Sequence, residues 1–184
     1  KISVQQSANS THPPSLILSE NAVSHLKKAI ELKPDYLDAY YNLTNTLNQI
    51  EDYEVAISNS KRAIKLKPDH AENYNNMGAS LHELGKPISA VSHFKKAIEL
   101  KPDFAEVYNN LGTVFSELED YEKAISNCKK AIKIKSDFTE VHNSLGNTFN
   151  KLQKYYEAAT HYELANTAVA RSQSLECFYK AKDY

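Results

Sequence analysis

Tryptophan is absent from the 184 residues, methionine occurs once and glycine only four times. With so little glycine and just six prolines, the chain is neither collagen-like nor a low-complexity linker. Cysteine is scarce too, and Cys128 and Cys177 are too few for a disulfide framework. No apolar run approaches the length of a membrane span, and the first residues lack the charged, apolar, small-residue order of a signal peptide. Nor does one sign of charge prevail. The 22 Lys and Arg nearly cancel the 23 Asp and Glu, so bulk electrostatics announce neither a nucleic-acid-binding nor a membrane-bound protein. The expectation is a cytoplasmic chain, with no nucleic acid and no membrane among its partners. The chain opens at Lys1 without an initiating Met, which leaves room for a removed targeting segment or a neighbouring domain.

What the sequence does contain is a repeat. Lys33-Pro34-Asp35-Tyr36 returns at Lys67 to His70, at Lys101 to Phe104 and, with Ser136 for proline, at Lys135 to Phe138, each time 34 residues on. A period of that size describes one helix pair that cannot bury its apolar face alone and must stack on a copy of itself. Function then belongs to a repeated surface rather than to a pocket.

Each unit divides into two amphipathic helices. Tyr108, Leu111, Phe115 and Leu118 form the stripe of a first helix, and Ile125, Cys128, Ala131 and Ile132 that of a second. The turns between them fall at Glu51-Asp52, Gly85-Lys86-Pro87, Glu119-Asp120 and Gln153-Lys154, too short for anything but antiparallel neighbours. Between units, Lys-Pro-Asp stops one helix, and its Asp is expected to cap the next. Cys128 shares a column with Ser60, Phe94 and Tyr162 and reads as packing.

The spacing places full repeats at about 37–70, 71–104, 105–138 and 139–170, all within one domain over residues 16–184. Residues 1–15, rich in Ser, Gln, Asn and Thr, read as a flexible tail or linker. A half repeat, equivalent to a second helix, is expected from about residue 19 to 32, and a shortened capping helix at about 171–182, where the register fails.

Tyr74-Met77-Gly78-Leu81 and Tyr108-Leu111-Gly112-Phe115, followed by Ala90-Phe94-Ala97-Pro102 and Ala124-Cys128-Ala131, resemble the tetratricopeptide repeat family. Thr44 for the first glycine, His142 for the fourth large residue and Ser136 for one proline depart from its pattern. The resemblance implies an all-α solenoid of helix-turn-helix units, a right-handed superhelix with first helices on the concave face. Gly78, Gly112 and Gly146 are expected to meet the small column Ala56, Ala90, Ala124 and Ala158.

Beside the packing stripe, each first helix carries a polar one rich in amides. Asn42, Asn76 and Asn110 are repeat-equivalent, Asn75, Asn109 and Asn143 form the adjoining column, and Asn45 and Asn147 extend the set. An asparagine offers an acceptor and two donors, the complement of a peptide group, so a column of them can hold an extended chain regardless of its side chains. The ladder is similar to the one in the repeat domain of O-linked N-acetylglucosamine transferases, which implies a mode of peptide binding and not glycosyl transfer. The other reading is solvent-exposed filler in an asparagine-rich chain.

Asp38, Glu72, Glu83, Glu106, Glu117 and Glu140 share this face with Lys151, which favours a neutral or basic ligand. The lysine clamp by which other family members grip a C-terminal carboxylate is not expected, since Tyr41, Asn75, Asn109 and Asn143 stand where it would want basic residues. Lys27-Lys28, Lys61-Arg62, Lys95-Lys96 and Lys129-Lys130 read as a solvated convex face.

Enzyme signatures are missing: there is no Gly-rich phosphate loop, no paired-Cys metal spacing and no His-Glu-x-x-His. No catalytic residue, metal or cofactor is expected. His25, His82, His93 and His161 read as scattered surface histidines. Asn9-Ser-Thr and Asn42-Leu-Thr match the glycosylation pattern, which matters only in a secreted protein. The expected function is a protein-interaction module holding an extended peptide on its concave face, with self-association open. The alternative is a substrate-recruiting or dimerising repeat region of a larger enzyme such as a glycosyltransferase.

Overall fold

The computed structural model describes residues 14–182, with side chains from Ser19 onward. Residues 1–13, which hold most of the expected tail and the Asn9 glycosylation pattern, lie outside the described residues. The described chain is all helical: α1 (Pro14–Leu32), α2 (Leu37–Gln49), α3 (Tyr53–Leu66), α4 (Ala71–Glu83), α5 (Pro87–Leu100), α6 (Ala105–Glu117), α7 (Tyr121–Ile134), α8 (Thr139–Lys151), α9 (Tyr155–Ala165) and α10 (Ala168–Lys182). Helix α1 starts five residues before the expected 19, and Pro14 opens it, where its missing amide hydrogen is not needed.

Helices α2, α4, α6 and α8 are the first helices of four repeats, each packed on its own second helix, α3, α5, α7 or α9. First helices also touch from repeat to repeat, α2 with α4, α4 with α6 and α6 with α8, whereas second helices meet through first helices. The first-helix layer is therefore the inner side of the stack. Val107, Leu111, Val114, Val141 and Leu145 run the core along its axis.

Each hairpin turn places one residue in the left-handed region: Glu51, Gly85, Glu119 and Gln153, with φ of 62°, 73°, 61° and 60°. Only one of the four is glycine, although that conformation suits glycine best.

Two expectations about small groups need correction. The Asp of Lys-Pro-Asp does not cap. The N-cap positions of α2, α4, α6 and α8 are Tyr36, His70, Phe104 and Phe138, one residue later, and no side chain caps there. Side-chain caps appear instead inside the repeats, where Asp52 accepts from the Val55 amide at 3.4 Å and Asp120 from the Lys123 amide at 3.2 Å. The glycines, in turn, do not face the alanine side chains. A Cβ at Gly78 would meet the Phe94 ring at 2.7 Å, and one at Gly112 would collide with Cys128 Sγ. Each glycine makes room for the residue four positions beyond the alanine. Where Thr44 replaces glycine, the partner shrinks to Ser60, whose Oγ donates to Thr44 Oγ1 at 3.5 Å.

The reading of Cys128 as packing agrees with its full burial, which pushes its thiol up to about 12. At the C-terminal end, Asn166 turns left-handed (φ 49°) and closes α9, and Thr167 caps α10 by accepting from the Ala170 amide at 3.1 Å. This tight junction starts α10 at Ala168 rather than 171. Ala170, Ser174 and Cys177 of α10 are buried, and α10 packs on α9.

Candidate functional site

The inner faces of α2, α4, α6, α8 and α10 form the candidate surface, and much of its polar stripe is engaged within the protein. Asn76 is buried, 7% exposed, and its Nδ2 donates to Asn45 Oδ1 at 2.8 Å. Asn110 Nδ2 donates to Asn75 Oδ1 at 3.0 Å, and Ser80 Oγ to Asn48 Oδ1 at 2.7 Å. Lys151 Nζ donates to the Ser116 carbonyl at 3.2 Å, and Tyr162 OH to Asn147 Oδ1 at 2.7 Å. The repeat-equivalent asparagines thus differ in setting. Asn42 is exposed, Asn76 is buried and tied, and Asn110 lies between them.

In the adjoining column only Asn75 is engaged in this way. Asn109 Oδ1 and Asn143 Oδ1 are both buried with no hydrogen-bond partner in the protein. Unpaired buried acceptors are rare and costly, and an ordered water or a ligand donor is the group that relieves them. Asn143 lines a groove of about 450 Å³ together with Asn147, Asn150 and Lys151 of the same repeat, Glu117 of the preceding one and Gln173 of α10. Gln173 stands outside the repeat spacing, which gives no sign of it, and its Oε1 is likewise buried without a partner.

The acidic excess of this face is partly spent. His82 Nε2 donates to Glu117 Oε2 at 2.6 Å, tying α4 to α6, and Lys101 Nζ lies 3.1 Å from Glu72 Oε1. Burial alone would raise Glu72, but its own backbone amide and Lys101 outweigh it, and the carboxyl sits below the ordinary 4.5. Asp38, Glu106 and Glu140 are exposed.

His161 departs from the scattered-surface expectation and pairs with His142, which stands at the position of the large residue in the other repeats. His142 Nδ1 and His161 Nδ1 stand 3.1 Å apart, and the His161 ring stacks on Phe149 at 5.4 Å. Burial pushes both imidazoles below their ordinary 6.5, and His161 is lowered further by His142 and Lys129. Among the described residues no group of three or more His, Cys, Asp or Glu is placed to hold a metal ion, and no helix is long and apolar enough to cross a membrane.

Family models described as "Tetratricopeptide repeat" match residues 37–70, 71–104 and 105–138, more than half of the chain. The chain belongs to the tetratricopeptide repeat family. Its fourth repeat follows from geometry, since Gly146 meets Tyr162 as Gly78 meets Phe94. No curated protein matches the chain.

Among solved structures, the tetratricopeptide protein TTC0263 of Thermus thermophilus superposes with a TM-score of 0.78 at 20% identity, over 90% of this chain and 93% of that one. MamA superposes with 0.69 at 24% identity, over 92% and 94%. YrrB, described as a TPR protein with an unusual peptide-binding site, gives 0.65 at 19%, over 91% and 86%. At these identities the likeness carries the fold alone, a tetratricopeptide solenoid.

Proposed function

We propose that the protein is a peptide-binding module that holds an extended polypeptide segment along its inner face, without catalysis of its own. Asparagines contact the segment's backbone, in the manner of the ladder that resembles the one in O-linked N-acetylglucosamine transferases. The observation that carries the reading is the pair of partnerless buried oxygens Asn109 Oδ1 and Asn143 Oδ1, one repeat apart on one face. A peptide N–H is the donor such an oxygen lacks, and an extended chain supplies one at regular intervals. Asn75, Asn109 and Asn143 then form the main contact column, with Asn42, Asn45, Asn76, Asn110 and Asn147 flanking it. YrrB, of the same fold, is described as carrying a peptide-binding site, which accords with this assignment. The ligand is neutral or basic, since Asp38, Glu106 and Glu140 stay exposed on this face. The setting in this reading is the cytoplasm.

The test replaces Asn75, Asn109 and Asn143 together by Ala and screens wild type and variant against one displayed peptide library. The variant should keep its melting temperature within a few degrees and lose about 0.5–1.5 kcal/mol of binding for each missing hydrogen bond. Equal capture by both proteins would remove this column from the function.

A further inference from the structure

The C-terminal end of the inner groove has a wall that the rest of the face lacks. There α10 adds Gln173 to the residues of α6 and α8, and two residues that line the space of about 450 Å³, Asn143 and Gln173, each carry a buried, partnerless carbonyl oxygen. Two acceptors without donors, from two different helices, call for a ligand group that donates twice.

The charges around them choose among such groups. A guanidinium or ammonium would enter beside Lys151, whose ammonium lines the same groove. The carboxylate that could compensate, Glu117, is already bonded to His82 at 2.6 Å. A carboxylate would face two carbonyl oxygens with no proton to give. A primary carboxamide is neutral, presents two N–H donors on one nitrogen, and offers its own oxygen to the protons that Lys151 does not spend on the Ser116 carbonyl at 3.2 Å.

Resting on the peptide-binding reading, we propose that this end of the groove is a side-chain subsite selecting a glutamine or asparagine in the bound segment. The backbone column would hold many sequences, with Asn143 Oδ1 accepting from the segment's backbone through one lone pair and from the carboxamide through the other, and this subsite would fix their register.

The experiment uses the full chain and a randomised peptide library displayed through its C-terminus, so that no terminal amide competes. Wild type should enrich Gln or Asn at one position. Synthetic peptides in which that residue is changed to Leu or Glu should bind about tenfold more weakly. Gln173→Glu keeps size and helix propensity but places a carboxylate in the wall, so it should shift enrichment at that position towards Lys and Arg. Gln173→Ala should abolish the preference while still capturing peptides. If wild type captures peptides with no Gln or Asn preference, or if Gln173→Glu selects the same residues as wild type, the subsite is overturned and peptide binding stands. If wild type captures no peptide at all, the peptide-binding reading falls, and this proposal with it.

Discussion

Gly146 and Tyr162 occupy one space: a Cβ on Gly146 would lie 2.6 Å from the Tyr162 ring, and the ring is completely buried there. The same sixteen-residue partnership sets Gly78 against Phe94, Gly112 against Cys128 and Thr44 against Ser60. Bulk on the first helix is matched by its lack on the second. Gly146→Ala should therefore cost about 1–3 kcal/mol by overpacking. Placed in a Tyr162→Ser background, the same change should cost much less. Urea unfolding of the two single variants and the double decides it, and strictly additive losses would show that the two side chains do not compete.

Asn73 sits in a column otherwise held by Ala39, Val107 and Val141, is 2% exposed, and buries an unpartnered Nδ2. Asn73→Val restores the residue type of its equivalents. It should raise stability by about 1–3 kcal/mol, the penalty of an unsatisfied buried donor. An unchanged or lower melting temperature would mean that this amide is bonded after all.

The histidine pair makes the fourth repeat sensitive to acid. Both imidazoles titrate below 6.5 when folded, so below that pH the unfolded chain binds more protons than the folded one. Stability is then lost as pH falls through 6.5, and the loss levels off beneath the depressed folded values. His142→Tyr brings back the residue found at Tyr40, Tyr74 and Tyr108 and removes half of the pair. Melts on either side of this window, at about pH 7.5 and about pH 5.5, should show a smaller drop in the variant than in wild type. Equal drops would assign the pH dependence to other groups.

At the hairpin turns, Glu51, Glu119 and Gln153 adopt the conformation that Gly85 adopts without cost. The left-handed region penalises a side chain by about 1–2 kcal/mol, part of which glycine returns as extra freedom in the unfolded chain. Gln153→Gly should thus stabilise the protein by about 0.5–1 kcal/mol, with Gly85→Gln losing a similar amount. Chemical denaturation of the two variants checks the opposite signs.

The 34-residue period makes the helices and their order readable, because it fixes which positions stack. It does not show how deep a side chain reaches. Spacing alone pairs Gly112 with the Ala124 side chain, whereas Cys128, a longer side chain one turn further on, fills the space. A signal for this is present in the sequence, since Ser60 is the smallest partner where Thr44 is the largest occupant. The inner face is harder to read. Its side chains bond across repeats at separations of 31, as in Asn45 with Asn76, 32, as in Asn48 with Ser80, or 35, as in Asn75 with Asn110 and His82 with Glu117. None of these bonds spans 34. A partner lies two or three positions before, or one after, the repeat equivalent, so columns drawn in register pair the wrong residues. Gln173 is hidden from a count of repeats because Asn166 and Thr167 start α10 five residues ahead of the 34-residue register.

Those bonds between repeats all lie on the inner side of the stack, and they have a mechanical consequence. Straightening a curved rod lengthens its inner arc first, and here that arc is tied by Asn76 to Asn45, Asn110 to Asn75, His82 to Glu117 and Lys151 to Ser116. The outer second helices carry no such ties between neighbours among the described residues. The solenoid thus behaves as a spring laced along its inside, slack to tightening and stiff to extension, and a tensile load on its ends is borne by a row of amides, one imidazole and one ammonium.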